Sequence, residues 1–291
     1  MLLQKIAALK VYISRFLNWQ FNNGPYLSGD TFSDLADATF SRSKFRLRDW
    51  RKTLKNSEII FVKADDIDEF FSQIEQFPKV RILILGNSDR DWESFDFPVS
   101  ERIRKIYLQN NFVDFSMFRS LPIGIENRRL GVNGIPSRFD SASRKFSANS
   151  RCCDKPLLTY LSPTHKSRNN LSSFVEDYHY FPHRLSPDEY LLEISRHKYV
   201  ICPRGNGVDT HRFWEALYLN AYPIVVKSKW SELISKQLNL PIIEVEDWQF
   251  VSETIEKLQL RDFSSEKIPA LWSEYWVGLL KEDLKSGFEV L

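Results

Sequence analysis

The segment 199–226 contains the residue types and spacings in this chain that best suit chemistry on a phosphate-bearing ligand. It begins with an apolar run, YVICP (199–203), of the length and composition of a buried strand. Gly205 and Gly207 follow at once. Glycine lets a backbone approach a ligand closely and adopt positive φ angles. We therefore expect a glycine turn at the carboxyl end of a strand.

A helix is expected directly after this turn. Asp209 or Thr210 can cap its first turn, because short polar side chains accept hydrogen bonds from free backbone N–H groups. Those N–H groups carry partial positive charge, and Arg204 and Arg212 add two full charges beside them. Such a combination suits the oxygens of a phosphate group.

The helix also places charged side chains close together. His211 and Glu215 are four residues apart and Arg212 and Glu215 are three apart, so all three project near one helix face. A carboxylate one turn from a phosphate site can bind the hydroxyls of a ribose. On spacing alone, the same residues also fit an ordinary strand–helix connection with an exposed ion pair, which would contribute only a few tenths of a kcal/mol.

Strands and helices alternate on both sides of this segment, which predicts an α/β fold with mainly parallel sheets. Before it, we predict strands at 59–64, 80–86, 104–110 and 121–125, with a helix at 65–77. Around it, we predict strands at 156–163, 199–203, 222–227 and 241–247. The predicted helices there are 167–178, 187–198, 209–221, 231–238, 252–260 and a long terminal one at 265–285.

The pattern divides the chain into two Rossmann-like βαβ domains. Residues 137–155 lose the periodicity and are rich in serine and basic residues, so we predict a linker between a first domain, 1–136, and a second, 156–264. The terminal helix 265–291 is then free to pack back on the first domain. Ligands of such folds bind beyond the carboxyl ends of the strands, here in a cleft between the domains.

Composition excludes several classes of protein. The 291 residues have a net charge of +2, a hydrophobic fraction of 43% and only 10 glycines, which argues against a dedicated nucleic-acid binder and against a disordered chain. Three cysteines, two of them adjacent, make neither a disulfide framework nor a metal site of the Cys-x-x-Cys kind. Lacking an apolar run of about 20 residues, the chain is expected to be soluble and cytoplasmic.

The run CPRGNGVDTHRFWEALYLNAYPIVV resembles the nucleotide-sugar-binding segment of the exostosin (GT47-type) family of glycosyltransferases. That segment has a strand end, a Pro-Arg-Gly turn, Ser/Thr-x-Arg-x-x-Glu-Ala-Leu and a Pro-Val strand. The matching residues are Pro203, Arg204, Gly205, Thr210, Arg212, Glu215, Ala216, Leu217 and Pro223. Asn220-Ala221 replaces the family's usual Gly-Cys, which is a mild departure.

This resemblance implies a GT-B fold, with two Rossmann-like domains facing each other across a cleft and the donor held by the C-terminal one. It implies an inverting transferase that uses a nucleotide diphosphate sugar, commonly a UDP-sugar, and needs no cofactor or metal. Thr210 and Arg212 would face the diphosphate, and Glu215 the ribose. Arg168 and Lys166, in a loop similar to the family's, would reach the same phosphates.

An inverting transferase also needs a base for the acceptor hydroxyl. We expect it from the N-terminal domain, across the cleft. Asp89 follows a buried strand and is the first candidate; Glu126 is the second. Either can instead be an ordinary turn or cap carboxylate. Asp89-Arg90-Asp91 also spells the metal–nucleotide signature of a GT-A transferase, the alternative in which Mg²⁺ or Mn²⁺ binds the phosphates.

Three further patterns have alternative interpretations. His179 and His183 have a possible metal-ligand spacing, although Pro182 argues for aromatic loop packing instead. The basic run 41–55 and the partly apolar 1–18 each fit a solvated or packed surface, or peripheral contact with the inner face of a membrane or an anionic acceptor. A non-catalytic carbohydrate- or partner-binding module with the same fold is the other functional class.

Overall fold

A computed structural model describes residues 24–40, 56–93, 100–128, 130–145, 155–258 and 260–285. Within these ranges the chain forms two sheets of five parallel strands, one in each half of the sequence. The predicted α/β class with two Rossmann-like units is confirmed. We call the halves the N-terminal and C-terminal units. The runs 1–18 and 41–55 lie outside the described residues.

In the N-terminal unit the strands stand side by side in chain order. They are β1 (Ala38–Phe40), β2 (Ile59–Lys63), β3 (Ile82–Gly86), β4 (Lys105–Leu108) and β5 (Phe118–Ser120). Two helices, α1 (Gly29–Leu35) and α2 (Ile67–Ser72), accompany them, and short 3₁₀ turns at Ala64–Asp66 and Ile74–Gln76 flank α2. Strand β3 is buried along its whole length, as its unbroken apolar sequence predicts for a central parallel strand.

In the C-terminal unit the strand order is β10-β9-β8-β6-β7. The strands are β6 (Leu157–Leu158), β7 (His179–Tyr180), β8 (Tyr199–Ile201), β9 (Tyr222–Val226) and β10 (Ile243–Val245). Because β7 and β8 lie on opposite sides of β6, the order reverses between β6 and β8. In open parallel sheets such a reversal opens a crevice for ligands at the carboxyl ends of the strands.

The remaining helices surround this second sheet. They are α3 (Pro136–Lys145), α4 (Pro187–Arg196), α5 (His211–Tyr218), α6 (Lys229–Leu238), α7 (Val251–Lys257) and α8 (Ser273–Lys285). Four 3₁₀ stretches lie at Lys166–Asp177, Trp248–Phe250, Ser265–Lys267 and Pro269–Leu271. Helix α3 falls inside the segment predicted as a linker. Among the described residues, no helix has the length and apolar character needed to span a membrane.

Two predicted elements are wrong. The predicted strand 121–125 is a loop, because Pro122 has no N–H to donate and Gly124 has a φ of +65°, outside the β region. The predicted terminal helix begins later than expected. Pro269 starts a separate 3₁₀ turn, Trp272 is extended, and α8 begins only at Ser273.

The two units share a continuous buried core. Tyr218, on α5, is completely enclosed; its hydroxyl accepts the N–H of Leu27 at 3.0 Å and donates to the carbonyl of Leu271 at 2.8 Å. Helix α8 packs against the N-terminal unit, with Trp276 edge-on to Phe32 of α1 at 5.2 Å and to Tyr107 of β4 at 6.1 Å between ring centres. The carboxyl ends of both sheets are thereby held facing one another.

Candidate functional site

The crevice between β6 and β8 is lined by the loop 159–165 and by the glycine turn 203–208. Arg168 joins the two: its Nε donates to the carbonyl of Arg204 at 2.7 Å, its Nη1 to that of Ser162 at 2.9 Å, and its Nη2 to that of Pro203 at 3.4 Å. The side chain therefore fixes the walls of the crevice. Among the residues that the structure describes, its positive charge faces carbonyl groups and forms no salt bridge with a carboxylate.

Arg212 adds a second guanidinium close to the first. Its Nη2 donates to the carbonyl of Tyr160 at 3.0 Å, while its Nη1 is buried without a hydrogen-bond partner. Burial and the nearby Arg212 charge both lower the pKa of Arg168. Within the part of the chain that the structure describes, neither arginine forms a salt bridge. Two adjacent cations with free donor capacity make an anion-binding site.

Glu215 lies behind Arg212 and is enclosed. Its side chain is 5% exposed, and its Oε2 accepts a hydrogen bond from the hydroxyl of Tyr190, on α4, at 2.8 Å. Burial raises the pKa of the Glu215 carboxyl, although His211, Tyr190 and Arg212 act in the opposite direction. The predicted common face of the helix exists, but Glu215 contacts α4 in this structure rather than open solvent.

The glycine turn is in contact with the N-terminal unit. Arg204 forms a salt bridge with Asp91, and Asp91 also accepts the N–H of Val208 at 3.1 Å. Asn206 donates to the exposed Asp89 at 3.3 Å. Both acids of the Asp-Arg-Asp sequence thus lie across the cleft from the turn, which is the side on which a base for an acceptor was predicted.

Asn110 and Asp209 form a second bridge between the units. The N–H of Asp209 donates to Oδ1 of Asn110 at 2.9 Å, and its carboxylate accepts from Trp214 Nε1 at 2.7 Å and from the N–H of Ile123 at 2.8 Å. Burial raises the pKa of Asp209 to about 7. Thr210 occupies the N-cap position but its side chain makes no capping bond. Sequence analysis missed Asn110, whose partner lies 99 residues away.

The two glycines of the turn are required for close approach and not for positive φ. A Cβ on Gly205 would lie 3.1 Å from Nη2 of Arg168, and one on Gly207 would lie 3.0 Å from the side-chain amide of Asn110. Neither glycine has a positive φ, so the expected left-handed conformation is wrong. In this structure the groups that lie close to the two glycines are the protein's own side chains, Arg168 and Asn110.

The other predicted residues surround the crevice in different ways. His211 donates its Nδ1–H to the carbonyl of Gly124 at 2.7 Å, since a carbonyl can only accept. Glu126 accepts the N–H groups of Val132 at 3.2 Å and Asn133 at 2.7 Å, and so closes its own turn. Lys166 is exposed at the start of the 3₁₀ stretch.

His179 does not pair with His183. Its Nδ1 lies 2.7 Å from Nε2 of His197, and His197 donates through Nδ1 to the carbonyl of Glu193 at 2.6 Å. Burial lowers the pKa of His197, which favours its neutral form. Ligand atoms of His179, Glu193 and His197 lie within 4.8 Å of one another, but hydrogen bonds already engage both nitrogens of His197 and the Nδ1 of His179.

Comparison with known proteins does not define a family. No family model matches the chain, and no curated protein matches it. Among solved structures, the crystal structure of an alpha1,3-fucosyltransferase is similar at 11% sequence identity and a TM-score of 0.39, over 80% of this chain and 78% of that one. At this level of similarity the function has to be argued from the site itself.

Proposed function

We propose that this chain is a glycosyltransferase that moves a sugar from a nucleotide diphosphate sugar to a glycan or glycolipid acceptor. The observation that supports it most is the pair Arg168 and Arg212 in the crevice between β6 and β8. Two cations that form no salt bridge with any described residue, beside a glycine turn and a helix N-terminus, match the charge and geometry of a diphosphate. On the basis of the exostosin resemblance, we further propose that the donor is a UDP-sugar and that the product is a surface or capsular polysaccharide.

The charged residues of the crevice and the cleft have the following roles in this proposal. Arg168, Arg212 and Arg204 bind the diphosphate, and Arg168 also fixes the walls of the crevice. Glu215 binds the ribose once it turns from Tyr190. Asp89, exposed across the cleft, takes the proton of the acceptor hydroxyl as it attacks the anomeric carbon with inversion. Glu126 is the weaker candidate for this base, because its carboxylate already accepts backbone N–H groups of its own turn.

In this mechanism arginines and backbone N–H groups stabilise the departing nucleoside diphosphate. No metal is required for that step. A transferase of the alternative kind, with Mg²⁺ held by Asp89 and Asp91, would lose nucleotide binding in a chelator. The two mechanisms therefore differ in one measurable property, which is whether nucleotide binding persists in EDTA.

The test is a titration of UDP, GDP, CDP, dTDP and ADP, each with EDTA and with Mg²⁺, on the wild type and on Arg212→Ala. We expect binding in EDTA, and a loss of about tenfold to a hundredfold in Arg212→Ala, the range for a charged hydrogen bond of about 1.5–3 kcal/mol. The matched control is Arg261→Ala. Arg261 is exposed, and its carbonyl accepts from Tyr222 at the amino end of β9, away from the crevice.

Equal affinity of Arg212→Ala and wild type would remove the site assignment. Binding only with Mg²⁺ would favour the metal-dependent alternative. Binding without sugar transfer to any acceptor would favour the non-catalytic module.

A further inference from the structure

A cavity of about 280 Å³ lies between the two units, at the carboxyl ends of β8, β9 and β10. It shares Arg204 and Val208 with the glycine turn, so it is adjacent to the proposed diphosphate site. Most of its wall is apolar: Phe112, Cys202, Val208, Val225, Trp230 and Trp248 line it. A small, mostly apolar cavity with a few polar groups is the usual form of a site for a flat organic group.

Trp230, on α6, supplies an unusual polar group to this wall. The side chain is 2% exposed, and its Nε1–H is buried without a hydrogen-bond partner among the described residues. Three other tryptophans satisfy the same atom within the protein: Trp214 donates to Asp209, Trp272 to Ser265, and Trp276 to Ala270. Because buried donors are almost always paired, an unpaired one beside a cavity points to an acceptor supplied by a ligand.

The position of the cavity beside the glycine turn determines which part of a nucleotide sugar can enter it. A diphosphate bound at the glycine turn, beside Arg204, leaves its attached groups within reach of the cavity. The charged crevice with Arg168 and Arg212 lies toward β6, whereas this cavity lies toward β10 and is apolar. The aromatic walls of Phe112, Trp230 and Trp248 suit a planar ring far better than a polyhydroxylated sugar.

We propose that this cavity is the subsite for the nucleobase of the donor, with a ring carbonyl oxygen of the base accepting the hydrogen bond of Trp230 Nε1. The proposal rests on the proposed nucleotide-sugar function. Uracil, thymine, cytosine and guanine carry a ring carbonyl, and adenine does not. Trp230 is therefore the residue that favours a carbonyl-bearing nucleotide over ADP, because ADP leaves the indole N–H unpaired.

The experiment compares Trp230→Phe with wild type in equilibrium titrations of UDP, GDP, CDP, dTDP and ADP. Phenylalanine keeps an aromatic wall and removes the donor. We expect wild type to prefer at least one carbonyl-bearing nucleotide over ADP. In Trp230→Phe that nucleotide should lose about tenfold in affinity, or about 1.4 kcal/mol, while ADP is unchanged. The control Trp276→Phe removes an indole donor from the core beside α8 and should leave the selectivity intact.

A second variant covers the case in which Trp230→Phe folds poorly. Val226 lines the cavity at the end of β9 and is 36% exposed, so Val226→Trp can fill the cavity without disturbing the core. It should abolish binding of every nucleotide. Full affinity in Val226→Trp, or unchanged selectivity in Trp230→Phe, would overturn the inference. If Arg212→Ala still loses binding in either case, the proposed function stands; if wild type binds no nucleotide, both fail.

Discussion

Asp91 of the N-terminal unit forms a salt bridge with Arg204 in the glycine turn of the C-terminal unit. The same carboxylate accepts the N–H of Val208 at 3.1 Å. A guanidinium and a backbone N–H before a helix are the donors that a phosphate oxygen would use. Asp91 therefore occupies these donors in the absence of ligand, and a donor diphosphate has to compete with it for them. The same contact holds the two units together.

Removing the charge of Asp91 should strengthen nucleotide binding. In Asp91→Asn, Arg204 loses its anionic partner and becomes available to a diphosphate without competition. The pair is partly exposed, at 27% and 16%, so we expect a gain of up to about fivefold in affinity for UDP or GDP, or about 1 kcal/mol. Calorimetric titration measures it. An affinity equal to that of wild type would mean that Asp91 does not compete.

Asp89 provides the contrasting substitution two residues away. Its exposed carboxylate accepts a hydrogen bond from the amide of Asn206 and forms no salt bridge with a described residue, so Asp89→Asn should leave nucleotide affinity nearly unchanged. If Asp89 is the general base, sugar transfer should fall by about 10²–10⁴-fold. The measurement is the rate of transfer at saturating donor. A variant with wild-type turnover would exclude Asp89 from this role and leave Glu126 to be tested.

Local patterns in the sequence predicted the frame of the site well. The apolar runs that form β2, β3 and β8 are short, rich in β-branched residues and buried on both faces. Runs of this kind are typical of the central strands of a parallel sheet. The turn after β8 and helix α5 also lie at the positions that were predicted from the glycines and the cap residues. The two-residue strands β6 and β7 are far shorter than any periodic signal can specify.

The contacts that close the site could not be predicted in the same way. Asp91 and Arg204 are 113 residues apart, and Asn110 and Asp209 are 99 apart. No local spacing relates them, because they meet only when both sheets have formed and the units face one another. The enclosure of Glu215 has the same origin, since Tyr190 reaches it from a different helix.

The hydroxyl of Tyr190 is the partner that makes a buried Glu215 tolerable. In Tyr190→Phe the Glu215 side chain stays enclosed but loses that hydrogen bond, so the free energy of unfolding should fall by about 1–3 kcal/mol. If Glu215 binds ribose hydroxyls, UDP should restore part of the loss and raise the melting temperature of the variant more than that of wild type. The control Tyr222→Phe loses a hydroxyl bonded to Arg261, outside the site, and should show no extra gain with UDP.

Asp209 should make stability depend on pH in a direction opposite to that of most acidic residues. Its folded-state pKa is about 7, above the ordinary value of 3.8, because burial penalises the charged form more than its three hydrogen-bond donors favour it. Between pH 4 and 7 the folded chain retains a proton that the unfolded chain releases. The stabilising contribution of this group is therefore complete below pH 4 and falls as the pH rises toward 7, by at most about 1.4 kcal/mol per pH unit.

The variant Asp209→Asn isolates this effect, because its side chain does not titrate and keeps one oxygen that can accept from Trp214 or from Ile123. Other groups contribute to the pH dependence of both proteins, so the informative quantity is the difference in free energy of unfolding, wild type minus variant, measured in urea at several pH values. We expect that difference to fall steadily from pH 4 to pH 7 and then to level off. A flat difference for Asp209→Asn would mean that the carboxylate is ionised at neutral pH and held by Trp214 and the backbone as a charged bridge between the two units.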